Sequence, residues 1–154
     1  MTELPQKEVP APLELVKERI EEVLPPAARE EIDSDDVLVV DTRDARRYEA
    51  GHIPDAVSVP SGEAARDSHS EDYAETIADA AGSRSQRIIL YCGEGTRSAR
   101  TADALRNEHG FENVASIIGG ANLWRELGFP FEGELTGGEE DADASTATED
   151  GDAT

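Results

Sequence analysis

Six consecutive residues, Cys92-Gly93-Glu94-Gly95-Thr96-Arg97, carry the strongest chemical signal in this chain, and Cys92 is its only cysteine. A thiol reacts as its thiolate, so the surroundings matter most where they stabilise negative charge. Gly93 and Gly95 let the backbone curl until successive N–H groups face one point, which makes an anion nest. The apolar run Ile88-Ile89-Leu90-Tyr91 reads as a strand leading into the loop, and a helical pattern from Ser98 to Glu108 leads out of it. A thiolate at that junction also meets the positive end of the helix dipole and the charge of Arg97. A lone cysteine at a strand end is ordinarily a small buried hydrophobe. The Gly-x-Gly-Thr-Arg-Ser continuation reverses that reading, making Cys92 the candidate nucleophile with Gly93, Glu94, Gly95, Thr96, Arg97 and Ser98 as binding residues.

Four residues separate Cys92 from Arg97, where cysteine phosphatases of similar design place five. The shorter ring suits one bound sulfur atom better than a tetrahedral phosphate. Three scattered histidines with one cysteine make no metal-ligand set, and the chemistry requires no metal or organic cofactor. His69 lies in a polar loop, and His109 sits at a helix end, where it complements the dipole.

The elements that must position this loop are short. Val37-Leu38-Val39-Val40 is continuous, β-branched and bounded by acidic residues, the signature of a strand buried on both faces. Ala56–Val59, Ile88–Tyr91 and Val114–Ile118 are further strand candidates. Helical patterns lie between them at Thr42–Ala50, Asp72–Ala81, Ser98–Glu108 and Ala121–Leu127. This alternation predicts an α/β fold with a mostly parallel sheet flanked by helices on both faces. Leu13, Val16, Ile20 and Val23/Leu24 add an amphipathic helix from Pro12, stopped by Pro25-Pro26. Three regions follow: an N-terminal segment with that helix over 1–31, one domain over 32–133, and a disordered acidic tail over 134–154 without aromatic or basic residues.

Composition limits the partners. The 154 residues include 35 acidic and 14 basic side chains, for a net charge of −21. Nucleic acid and anionic membrane surfaces are repelled by such a chain. Only Lys7 and Lys17 are lysines. Acidic excess with scarce lysine and few aromatics is similar to proteins of salt-in halophiles, where a Debye length of ~3 Å at molar salt screens self-repulsion. The single cysteine asks for no oxidising compartment, and neither a signal-peptide pattern nor a membrane-length apolar run is present. These features predict a cytoplasmic protein.

Beyond the cysteine loop, Val39-Val40-Asp41-Thr42-Arg43 and Tyr48-Glu49-Ala50-Gly51-His52-Ile53-Pro54-Asp55-Ala56 resemble the two N-terminal signatures of the rhodanese family. Ile118-Gly119-Gly120-Ala121-Asn122-Leu123-Trp124 and Gly128-Phe129-Pro130 resemble its closing segment. Together they span roughly residues 32–132 in the family's order. The resemblance implies a rhodanese-type sheet and a sulfurtransferase in which Cys92 carries sulfane sulfur as a persulfide. The donor is then a small anion such as thiosulfate, and the acceptor is cyanide, a thiol or a sulfur-carrier protein. A persulfide relay to a partner protein and a non-catalytic sensing or scaffold module are the alternatives. The resemblance also makes His52 a turn residue with a satisfied ring. Asp41 is expected as a helix N-cap, Arg43 in a salt bridge, and Trp124 in the core. Two departures stand out, Arg47 where the family often has an acidic residue and Asp55 where it often has glycine. Both are expected to affect local stability more than chemistry. Glu94 either weakens binding of anionic donors or points to solvent.

Overall fold

A computed structural model describes residues 12–34 and 36–133. Residues 1–11 and the tail over 134–154, expected to be disordered, lie outside the described residues. Five strands form one all-parallel sheet: β1 (Glu21–Val23), β2 (Leu38–Asp41), β3 (Val57–Ser58), β4 (Ile88–Tyr91) and β5 (Val114–Ile117), in the order β1-β5-β4-β2-β3. Among the described residues six α-helices accompany them: α1 (Leu13–Glu18), α2 (Pro25–Ser34), α3 (Ala45–Ala50), α4 (Glu71–Ala81), α5 (Thr96–Glu108) and α6 (Gly120–Glu126).

Side chains alternate across a strand, so each central strand feeds two cores. Val40, Ile88, Leu90 and Val114 face Tyr73 and Ile77 of α4 and Ala102 and Leu105 of α5. Val39, Ile89, Tyr91 and Ile117 face Ala28 of α2 and Ala121 and Trp124 of α6. Burying a side chain the size of Leu90 or Ile89 contributes roughly 1.5–3 kcal/mol, and β4, buried at all four positions, anchors the sheet at its centre. Trp124 is 1% exposed, and its indole N–H donates to the Pro130 carbonyl at 2.8 Å.

The N-terminal helix is shorter than its hydrophobic spacing predicts. It stops at Glu18, and Glu21–Val23 turn extended to pair with Ala115–Ile117 at the sheet edge. Arg19, held by Asp103 of α5 at 2.8 Å, fixes the turn between the two. Pro25-Pro26 opens α2 and does not merely end a helix, because proline lacks only an N–H that the first helical turn leaves unpaired anyway.

The helix predicted from Thr42 begins at Ala45, and Asp44 is its N-cap, accepting from the Arg47 N–H at 3.1 Å. Asp41 is therefore not a cap. Its carboxylate lies inside the domain, bound to Arg43. Between β3 and α4 the 3₁₀ segment Glu63–His69 contains Ala64 and Ala65 in left-handed conformation. That geometry costs an L-residue roughly 1–2 kcal/mol.

Candidate active site

The end of β4 is held in place before the chain reaches the cysteine. Thr42 donates to the Tyr91 carbonyl through both its N–H (2.9 Å) and its Oγ1 (3.0 Å). The Tyr91 hydroxyl donates to Asp41 Oδ2 at 2.8 Å and accepts from the Ile53 N–H at 3.0 Å. Burial pushes the Tyr91 phenol well up, and the nearby Asp41 charge adds to the rise. The strand therefore ends against a neutral, doubly bonded phenol.

Past Tyr91 the chain bends beneath α6. The N–H groups of Ala121 and Asn122 donate to the carbonyls of Cys92 (2.7 Å) and Gly93 (2.9 Å). Gly120 permits this approach, since a Cβ there would stand 2.4 Å from the Cys92 carbonyl oxygen. With these carbonyls drawn toward α6, the loop's N–H groups are left to face the other way. Gly95, at φ +100°, completes the curl and caps α5. The N–H groups of Gly95 (3.1 Å) and Ser98 (3.3 Å) point at Cys92 Sγ, and the Ser98 hydroxyl lies 3.5 Å from it. The first N–H groups of a helix have no carbonyl one turn back to bond. Here one of them, from Ser98, is satisfied by sulfur.

Cys92 is 4% exposed and forms part of the wall of a cavity of about 380 Å³. Gly93, Glu94, Thr96 and Arg97 line the same cavity. Gly95 and Ser98 do not line it and reach the sulfur from behind through their N–H groups. Glu94 is exposed and still borders the cavity. The loop thus brings together all seven residues that the sequence singles out.

The sequence did not assign six other contributors to this cavity: Arg43, Asp44, Arg47, Ala64, Arg100 and Asn122. Arg43 is committed to Asp41. Burial works against its charge, but the Asp41 hydrogen bonds and attraction outweigh it and raise its pKa. Arg47 reaches across from α3, with Nη1 3.8 Å from where a Cβ on Gly93 would stand. Its only sequence signal is the break from an acidic family preference. The cavity wall is consequently rich in guanidinium groups, on a chain whose net charge is strongly negative.

The histidines lie elsewhere. His52 Nδ1 is 2.8 Å from the Tyr48 carbonyl and its ring stacks on Tyr48. His69 pairs with Glu108, and His109 Nε2 is 3.1 Å from the Ser68 carbonyl. Among the described residues no cluster of His, Cys, Asp and Glu could hold a metal, and no helix is long and apolar enough to cross a membrane.

A family model described as rhodanese-like domain matches residues 24–127. The thiosulfate sulfurtransferase GlpE of Actinobacillus pleuropneumoniae is 32% identical over 117 residues, covering 76% of this chain and 97% of the relative. The tRNA uridine(34) hydroxylase of Photorhabdus laumondii is 35% identical over 106 residues, but this chain spans only 28% of that protein. Among solved structures, a protein of unknown function from Rhodopseudomonas palustris, described as a possible tyrosine phosphatase, is 30% identical. It aligns with a TM-score of 0.66 over 86% of this chain and 99% of its own.

Proposed function

The chain belongs to the rhodanese-like domain family, and on that premise we propose that it is a sulfurtransferase working through a Cys92 persulfide. The observation that carries the proposal is the pair of N–H groups, from Gly95 and Ser98, directed at a sulfur on the wall of an arginine-lined cavity.

In the first half-reaction the Cys92 thiolate attacks the outer sulfur of thiosulfate. The S–S bond of thiosulfate breaks, sulfite leaves with the bonding pair, and the transferred sulfur remains as a Cys92 persulfide anion. The N–H groups that face Sγ are preorganised for the thiolate that attacks and for the thiolate that returns. Arg97 and Arg47, on the cavity wall, attract the anionic donor and the departing sulfite. In the second half-reaction a thiophile such as cyanide attacks the outer sulfur, thiocyanate leaves, and the thiolate returns. No metal or organic cofactor enters either step. A thiol or a sulfur-carrier protein takes the place of cyanide in the cell, and we place the reaction in the cytoplasm.

The tRNA substrate named for the Photorhabdus relative does not suit a chain of net charge −21, because phosphate contacts rest on excess positive charge. A phosphate ester is disfavoured by the four-residue spacing from Cys92 to Arg97.

The test is thiosulfate:cyanide turnover, with intact mass measured after thiosulfate alone. The wild type gains ~32 Da, one sulfur on the cysteine ladder, and Cys92→Ser gains nothing and forms no thiocyanate. Unchanged thiocyanate production in Cys92→Ser overturns the mechanism. Hydrolysis of p-nitrophenyl phosphate in place of sulfur transfer would reassign the loop to phosphoryl chemistry.

A further inference from the structure

Behind Cys92, on the side away from the cavity, lie two hydroxyls with no place in the scheme above. Ser98 Oγ is 2.8 Å from Ser116 Oγ, and both residues are 0% exposed. Ser116 belongs to β5, on a strand otherwise made of Val114, Ala115 and Ile117. A hydroxyl among such neighbours leaves water at a cost unless its hydrogen finds an acceptor.

The direction of this pair follows from counting hydrogens. Among the described residues, Ser98 Oγ is the one hydrogen-bond partner of Ser116 Oγ, whereas Ser98 Oγ also reaches Cys92 Sγ at 3.5 Å. If Ser98 donated to Ser116, the Ser116 hydrogen would be buried with nothing to accept it. If Ser116 donates to Ser98 and Ser98 to sulfur, both buried hydrogens are placed. Each donor in such a chain polarises the next, strengthening the bond at its end.

From this geometry we propose that Ser116 is a positioning residue for the sulfur chemistry, acting through Ser98. It fixes the Ser98 hydroxyl hydrogen on Cys92 Sγ and so favours the anionic form of the sulfur. The inference rests on reading Cys92 as the reacting sulfur. It adds a third donor to the two backbone N–H groups, one set by a residue on the neighbouring strand that never touches the donor molecule.

The experiment follows Cys92 alkylation by iodoacetamide at neutral pH, a rate that reports the thiolate directly. Ser98→Ala is expected to slow it about tenfold, since it removes a hydrogen bond to a charged group. Ser116→Ala is expected to slow it about threefold, because one cooperative link is lost, and to move the alkylation pH profile to higher pH. The double variant Ser98→Ala/Ser116→Ala should match Ser98→Ala alone, because Ser116 acts only through Ser98. Ser116→Thr and Ser116→Val have nearly the same shape and differ in the hydroxyl, so they separate chemistry from packing. The threonine variant should approach wild type, and the valine variant should behave like alanine.

Equal rates for the threonine and valine variants, or a Ser116→Ala effect that persists without Ser98, overturn the relay. The readout does not depend on sulfur transfer. These alkylation ratios in a protein that forms no persulfide would sustain the relay while sinking the sulfurtransferase reading. Normal persulfide formation with flat alkylation ratios would do the reverse.

Discussion

Asp41 and Arg43, two residues apart where β2 ends, form an ion pair inside the domain, with Nη2 2.7 Å from Oδ2 and Nε 3.0 Å from Oδ1. They are 0% and 7% exposed. The pair also holds its surroundings. Asp41 accepts the Tyr91 hydroxyl immediately before Cys92, and Arg43 donates to the Gly51 carbonyl at 2.6 Å. Removing one partner of such a pair leaves an uncompensated buried charge and costs about 3–5 kcal/mol. Asp41→Asn should show that loss in urea unfolding. Asp41→Asn combined with Arg43→Leu should lose less than the sum of the two single changes. Additive losses would mean that the two side chains act separately.

Arg47 lies outside the cysteine loop, yet it borders the cavity. Arg47→Glu should raise KM for thiosulfate about threefold or more at low salt while changing kcat less, and added salt should shrink the difference as screening sets in. Initial rates at two ionic strengths check this. An unchanged KM would return Arg47 to a purely structural role.

Asp55 adopts φ +69°, a left-handed conformation that glycine takes without strain. Asp55→Gly should stabilise the protein by about 0.5 kcal/mol, the relief of strain being partly offset by a more flexible unfolded chain. Asp55→Ala should destabilise it. Urea midpoints at fixed salt give both signs.

All three tyrosines are shifted in one direction. Burial is the first cause that raises Tyr48, Tyr73 and Tyr91 above the ordinary 10.0, and the negative charge of Asp41 adds to each. A folded value above the unfolded one gives stability that is fully present below pH 10 and is lost as pH rises further. Phenolate absorbance should therefore stay low through pH 10 and then appear together with loss of tertiary structure. A tyrosine titrating freely at its ordinary value in the folded protein would contradict this.

The charge of −21 leads us to propose a salt-adapted protein. Stability and turnover should rise together with KCl toward molar concentration, as self-repulsion is screened. Activity that peaks near ~0.1 M, where the Debye length is already ~10 Å, and then falls would reject the proposal.

Much of this was legible in the sequence, for physical reasons that also explain the rest. Val39, Val40 and Ile88–Leu90 are buried on both faces, so their unbroken apolar runs identify central strands. The residues of β1 alternate too briefly. Ile20, Val23 and Leu24 fit a helical period as well as a strand edge, and only pairing with Ala115–Ile117 decides between them. The cysteine loop was readable because its turn chemistry is local. Arg47 and Ser116 were not, since each reaches the site from a different element and nothing in its neighbours along the chain points there. The two left-handed alanines in the 3₁₀ segment were equally silent, because alanine carries no preference for that conformation.

The carbonyls of Cys92 and Gly93 are held by N–H groups of α6, nearly thirty residues further along. During synthesis, the stretch that will shape the nest is therefore made after the cysteine itself. A chain that has reached only Glu108 already carries the Gly95 and Ser98 donors but lacks the α6 N–H groups that hold the Cys92 and Gly93 carbonyls. The carbonyl side of the cysteine loop is thus fixed only once α6 has been added to the chain.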